Sequence, residues 1–129
     1  MNKEKFIIVT GATRGLGLGC VESLLSKGHR VLATGRDSAK VRERIPAKLG
    51  EKLLTEDLDV SSFESLTNFE TKLAKITDRI DVLINNAGIF VDQYGGATLA
   101  TPVEDLEKTL KTNVMGPYRL SQILIPFLK

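Results

Sequence analysis

The chain has one cysteine, one histidine and no long apolar run. A single thiol, Cys20, forms no internal disulfide, so nothing points to an oxidising compartment. Cys20 and His29 make no recognisable ligand cluster and give metal catalysis no support. The opening apolar stretch, Phe6-Ile7-Ile8-Val9, is far shorter than a signal-peptide core or a membrane span. A cytoplasmic location and no membrane partner are therefore expected. Clustered charge of one sign is scarce as well. The 18 Lys and Arg residues against 16 Asp and Glu leave a net charge of +2, with acids and bases interleaved. Nucleic-acid surfaces gather cations on one face, so nucleic acid is not an expected partner. The densest basic stretch, Lys40, Arg42, Arg44 and Lys48, is broken by Glu43 and Glu51 and reads as a solvated helix face.

At 129 residues, 42% hydrophobic and 26% charged, the chain has the composition of a globular protein and the length of one domain, residues 1–129. Phe6-Ile7-Ile8-Val9-Thr10 is a continuous β-branched and apolar run, as expected of a strand covered on both faces. Leu16, Cys20, Val21, Leu24 and Leu25 follow at helical spacing, and Gly28 is placed to end that helix. Arg30-Val31-Leu32-Ala33-Thr34 predicts a second strand. A helix over residues 38–49 is expected to weaken or break at Pro46. Lys52-Leu53-Leu54-Thr55 predicts a third strand. Ser61 with Glu64 reads as a capping box opening a helix marked by Phe63, Leu66, Phe69, Leu73 and Ile76. Asp81-Val82-Leu83-Ile84 predicts a fourth strand. A last helix is expected to open with Thr101 as cap, Pro102 in its first turn and Glu104 completing a second box. Its apolar stripe is Val103, Leu106, Leu110, Val114, Leu120 and Leu124. Strands alternating with helices predict an α/β fold with right-handed crossovers and a parallel sheet.

Between the first strand and first helix stands Thr10-Gly11-Ala12-Thr13-Arg14-Gly15-Leu16-Gly17. Glycines in a strand–turn–helix setting suit a dinucleotide. Gly11 permits the tight turn, Gly15 lets the backbone approach a pyrophosphate, and Gly17 lets the helix pack on the strand. Free N–H groups at the helix start then face the phosphates.

The spacing Thr-Gly-x-x-x-Gly-x-Gly resembles that of the short-chain dehydrogenase/reductase family. Three further motifs agree: Asn85-Asn86-Ala87-Gly88 after the fourth strand, Asp59-Val60 after the third, and Asn113 within Thr-Asn-Val-Met-Gly-Pro. The resemblance covers essentially the whole chain. It implies a Rossmann-like three-layer sandwich in which this chain supplies strand order 3-2-1-4, truncated after the fourth strand and the helix that follows it. It also implies a nicotinamide dinucleotide partner, contacted by Gly11, Thr13, Arg14, Gly15, Leu16, Gly17, Arg36, Asp59, Val60, Asn86, Ala87 and Gly88. The activity it implies is hydride transfer to or from a carbonyl or alcohol carbon.

The end of the second strand bears on which dinucleotide is bound. A carboxylate there holds a ribose 2′-OH, whereas a 2′-phosphate needs a cation and no such acid. Gly35 occupies that place and Arg36 follows it, with Arg14 as a second cation. Arginine's planar fork suits phosphate. NADP(H) is expected over NAD(H), although both arginines also read as plain surface residues, and Asp37 stands ready to neutralise Arg36.

Pro117 follows Asn113 by four residues, leaving the Asn113 carbonyl without its helical partner. One reading is an ordinary kink. The other, carried by the resemblance, makes Asn113 a catalytic residue whose carbonyl holds a water. The family's proton chemistry uses a serine and a Tyr-x-x-x-Lys pair. Here Tyr94 is followed at plus four by Thr98, and Tyr118 by Gln122. The resemblance places the missing residues beyond residue 129, so the chain alone is expected not to catalyse. An apolar fourth strand at the sheet edge and a final helix without covering lead to an expected homo-oligomer, or a second chain that completes the sheet. A non-catalytic NADP(H)-binding or assembly module is the alternative, and a fold remnant that binds no nucleotide is the third reading. His29, beside Gly28, is read as charge placed at a helix end. Residues 89–100 stand where a substrate side is expected, without naming a ligand.

Overall fold

The computed structural model describes residues 3–89 and 101–129. Four parallel strands form one sheet in the order β3-β2-β1-β4. They are β1 (Phe6–Val9), β2 (Arg30–Gly35), β3 (Leu53–Asp57) and β4 (Val82–Ile84). The helices between them are α1 (Gly15–Ser26), α2 (Ala39–Arg44) and α3 (Phe63–Ile76), followed by α4 (Val103–Leu110) and α5 (Gly116–Leu124). The parallel α/β architecture is the one the sequence predicts.

Side-chain alternation in β1 explains its unbroken apolar run. Phe6 and Ile8 point into one core with Leu66, Phe69, Leu73, Leu120 and Leu124. Ile7 and Val9 point into the other with Val21, Leu25, Val41 and Ile45. Both faces of the sheet are therefore covered, α3 and α5 on one side and α1 and α2 on the other. Fully burying a side chain such as Ile8 or Leu32 contributes about 1.5–3 kcal/mol. The register Ile7↔Val31 and Ile7↔Val82 sets β1 between its two neighbours. The Asp81 carboxylate accepts the Phe6 N–H at 2.8 Å, tying the start of β1 to the approach to β4.

Several local expectations are corrected. The N-cap of α3 is Ser62, whose hydroxyl accepts the Ser65 N–H at 3.1 Å. Ser61 stands one residue before the cap and donates instead to the Asp59 carboxylate, its N–H at 3.0 Å and its hydroxyl at 2.6 Å. Helix α4 begins after Pro102 with no side-chain cap, so Thr101 and Glu104 form no box. Pro102 itself takes an extended conformation, with ψ 144°, and occupies the cap position. Helix α2 stops at Arg44, since the residue before Pro46 is extended, and a 3-10 turn, Ala47–Lys52, delays β3 by one residue. Gly28 ends α1 with φ +86° as expected. His29 Nδ1 accepts the Lys5 N–H at 3.1 Å, which ties the end of α1 to the approach to β1.

The expected last helix is interrupted. A π-helical turn, Lys111–Met115, separates α4 from α5 directly before Pro117. Proline has no N–H to offer Asn113, and the wider turn absorbs that loss. Of the predicted stripe only Leu120 and Leu124 are buried, while Val103, Leu106, Leu110 and Val114 are exposed. At the other end of α5 the expected lack of covering is only partial. Leu124 is buried and Ile123 and Phe127 pack against the core, leaving Ile125 and Leu128 exposed. Among the described residues no helix is long and apolar enough to cross a membrane.

Candidate functional site

The C-terminal ends of all four strands open onto one cleft of about 300 Å³. It lies beside β1 and β4, at the position where chain connections leave the sheet in opposite directions. Ten of the thirteen residues singled out from the sequence line it: Gly11, Thr13, Arg14, Gly15, Arg36, Asp59, Val60, Asn86, Ala87 and Gly88. Three do not. The Leu16 side chain is 87% exposed on the first turn of α1. Gly17 is buried beneath the turn, and Asn113 stands behind Gly88.

Glycine is required in this turn for distinct reasons. Gly11 has φ +62°, and an added Cβ would lie 2.7 Å from Ala87 Cα. Gly15 has φ +58° with nothing within 4 Å, so its backbone faces open cleft. At Gly17 a Cβ would meet the Gly11 carbonyl oxygen at 2.2 Å. Close packing at Gly17 is therefore against the turn itself and not against a strand as expected. No side chain caps the start of α1, whose N-cap is Arg14. Its first-turn N–H groups are free to meet an anion, and the helix dipole favours one there.

Thr10, which the sequence reading left as a strand end, joins the turn to β4. Its buried hydroxyl oxygen accepts the N–H groups of Asn86 and Ala87, each at 3.0 Å. The Asn86 carboxamide donates to the Gly11 carbonyl at 3.0 Å. Asn86 thus braces the turn as well as lining the cleft. Asn113 spends its side chain on a backbone: Oδ1 accepts the Ile89 N–H and Nδ2 donates to the Ile89 carbonyl. That makes it a positioning residue for the strand-end segment. Tyr94 and the rest of the 90–100 segment, including Asp92 and Gln93, lie outside the described residues.

Arg14 and Arg36 both line the cleft and both are exposed. Asp37 turns to Lys40, with 3.8 Å between its carboxylate and the ammonium, instead of neutralising Arg36. The loop that bears Arg36 is anchored from β3. Asp57 Oδ1 accepts the Ser38 N–H at 2.9 Å and the Ser38 hydroxyl at 2.7 Å. These two hydrogen bonds hold the Asp57 carboxyl below the usual carboxylate range, with Lys72 adding to the effect and burial opposing it. Arg44 is no mere solvated cation, because its guanidinium donates to the Thr13 carbonyl. Lys108 and Thr112 also reach the cleft. Thr112 opens the Thr-Asn-Val-Met-Gly-Pro motif, whereas nothing in the sequence marks Lys108, since a lysine on an amphipathic helix looks like ordinary surface. Among the described residues no group of His, Cys, Asp and Glu side chains is gathered to hold a metal.

Comparison with known proteins places this geometry. The 3-oxoacyl-(acyl-carrier-protein) reductase FabG of Aquifex aeolicus is 35% identical over 121 residues, covering 92% of this chain and 48% of that protein. A closed form of serine dehydrogenase complexed with NADP+ superposes with a TM-score of 0.80 at 31% identity, covering 94% of this chain and 48% of that one. The 3-ketoacyl-(acyl-carrier-protein) reductase of Brucella melitensis complexed with NADH gives a TM-score of 0.81 at 29% identity, covering 95% and 50%. The chain spans about half the length of the relatives it matches. Residues 5–129 match the short chain dehydrogenase family, and with its glycine turn, strand order and strand-end segment the chain belongs to that family.

Proposed function

We propose that this chain is the NADP(H)-binding half of an oxidoreductase acting on a carbonyl or alcohol carbon. One observation carries the reading. The uncapped start of α1, the left-handed Gly11 and Gly15, and two cations, Arg14 and Arg36, face the same cleft. Phosphates need such N–H groups and a close backbone approach. A 2′-phosphate needs guanidinium groups and no acid at the end of β2, where Gly35 stands.

The residues fit a nicotinamide dinucleotide. Gly15 leaves open space where a side chain would obstruct a pyrophosphate. Asp59, Val60 and Leu58 line the β3 side of the cleft, where an adenine has both an apolar wall and a carboxylate. Asn86, Ala87 and Gly88 line the β4 side. The dinucleotide supplies or accepts the hydride. This chain's own residues bind and orient it, Asn113 holding Ile89 and with it the β4 side of the cleft. Neither tyrosine is followed at plus four by lysine, so these 129 residues by themselves are assigned binding without turnover. Related proteins of known structure carry NADP+ in one case and NADH in another, so the choice of NADP(H) rests on Arg14, Gly35 and Arg36.

The exposed stripe Val103, Leu106, Leu110 and Val114 supports association with a second copy or with a chain completing the sheet. Sedimentation of the purified chain as a monomer would exclude self-association.

The binding test is calorimetric titration with NADPH and NADH at low salt. Micromolar NADPH and at least tenfold weaker NADH are expected, and Arg36→Ala should narrow that ratio toward unity. Equal affinity for both coenzymes would remove the NADP(H) assignment. Binding of neither would remove the site.

A further inference from the structure

Gly35 is buried at the end of β2, paired with Asp57 of β3. Its φ is not left-handed, so backbone conformation does not demand glycine there. Space does. A Cβ added at residue 35 would lie 2.7 Å from Thr13 Cγ2, inside any real carbon–carbon contact, whereas Thr13 Cβ and Oγ1 stand at 3.9 and 4.0 Å. A single methyl group makes the conflict.

The backbone that carries that methyl is held in place. The neighbouring Ala12 is fully buried, and its N–H donates to the Thr34 carbonyl at 2.9 Å. Arg44 reaches from the end of α2 to donate to the Thr13 carbonyl. The backbone on both sides of the Thr13 side chain is therefore fixed to β2 and α2, and a β-branched side chain has few χ1 alternatives. The far side of α2 is fixed as well, by the Asp57 bonds to Ser38.

Discrimination between the coenzymes turns on whether a carboxylate stands at the end of the second strand to accept a ribose 2′-OH. Any carboxylate at residue 35 must begin with a Cβ. The geometry points to Thr13 as a specificity-determining residue: its Cγ2 keeps residue 35 free of a side chain, denies the site a ribose-binding acid, and leaves the cleft edge to Arg14 and Arg36. Coenzyme choice is then encoded across two segments, the phosphate turn and the second strand, and a change at residue 35 alone does not reverse it. The selectivity half of this inference rests on the NADP(H) reading above. The steric half does not.

The test uses the purified chain and two double-mutant cycles. In the first, thermal unfolding without coenzyme is followed for Gly35→Ala, Thr13→Ser and both together. Serine removes Cγ2 and keeps the hydroxyl. Gly35→Ala should lower Tm by about 5 °C or more, and Thr13→Ser should restore most of that loss. In the second, NADH binding is titrated for Gly35→Asp with and without Thr13→Ser. The double variant should bind NADH at least tenfold more tightly than Gly35→Asp alone. A Gly35→Asp chain that fails to fold and is rescued by Thr13→Ser supports the same conclusion. Full tolerance of Gly35→Ala beside Thr13, or equal NADH affinity of Gly35→Asp with and without its partner change, overturns it. If the unsubstituted chain prefers NADH or binds neither coenzyme, the selectivity half falls with the NADP(H) reading, while the first cycle still decides the contact.

Discussion

Asn113 grips the backbone of Ile89 at both of its polar groups, with Oδ1 receiving the N–H at 2.7 Å and Nδ2 donating to the carbonyl at 2.7 Å. The π-turn that carries Asn113 is thereby locked to the segment leaving β4. Asn113→Asp keeps one bond and sets a carboxylate oxygen against the Ile89 carbonyl. The substituted carboxyl is favoured in its protonated form, so its pKa in the folded chain is raised. Stability should fall by about 1 kcal/mol at neutral pH, recover as pH falls through the raised folded pKa, and be fully restored below the unfolded value near 3.9. Urea unfolding at pH 7 and pH 3.5 checks the sign, and Asn113→Ala should show no such recovery.

Thr10→Val preserves shape and removes the acceptor shared by Asn86 and Ala87. Thr10 is 1% exposed, so the hydroxyl oxygen that the two N–H groups share is buried. A loss of about 2–4 kcal/mol is expected, with Thr10→Ser retaining most of the stability. Chemical denaturation of the three chains is the measurement.

Gly11→Ala combines a left-handed conformation with a Cβ 2.7 Å from Ala87. The cost should exceed about 2 kcal/mol. Gly15 is also left-handed but meets no neighbour, so Gly15→Ala should cost only about 1 kcal/mol and act mainly on coenzyme affinity. Equal thermal shifts for the two would contradict the crowding at Gly11.

Asp57 makes stability fall in acid. Its folded pKa is lowered, first by the Ser38 N–H and then by the Ser38 hydroxyl. The stabilisation is thus present above the unfolded value near 3.9 and is lost as pH falls through the lower folded value. Asp57→Ala should lower Tm at pH 7, by an amount that shrinks steadily below about pH 4. A pH-independent difference would show that Asp57 acts through packing alone.

Much of this protein is legible in its residues taken in order. An unbroken run from Phe6 to Val9 needs cover on both faces, and only a parallel sheet between helix layers supplies it. The glycines at 11 and 15 mark left-handed positions that few other residues accept. Pro46 forces the residue before it out of the helix, and Pro117 leaves a carbonyl without its partner. Each of these follows from backbone chemistry acting over a few residues.

What the order of residues did not reveal depends on competition between distant groups. Ser61 with Glu64 reads as a capping box, but in the fold Ser61 turns to the Asp59 carboxylate while Ser62 caps α3. Arg44 resembles any surface arginine until α2 is laid beside the phosphate turn and the Thr13 carbonyl comes within reach. Helical spacing marks Val103, Leu106, Leu110 and Val114 as one apolar face, but periodicity carries no information about whether anything covers it. The sequence by itself determined the sheet, the turn and the identity of the cations. Only the tertiary structure decided that Gly35 is glycine because of Thr13, since a steric conflict between residues 22 positions apart exists only once β2 and the turn are brought together.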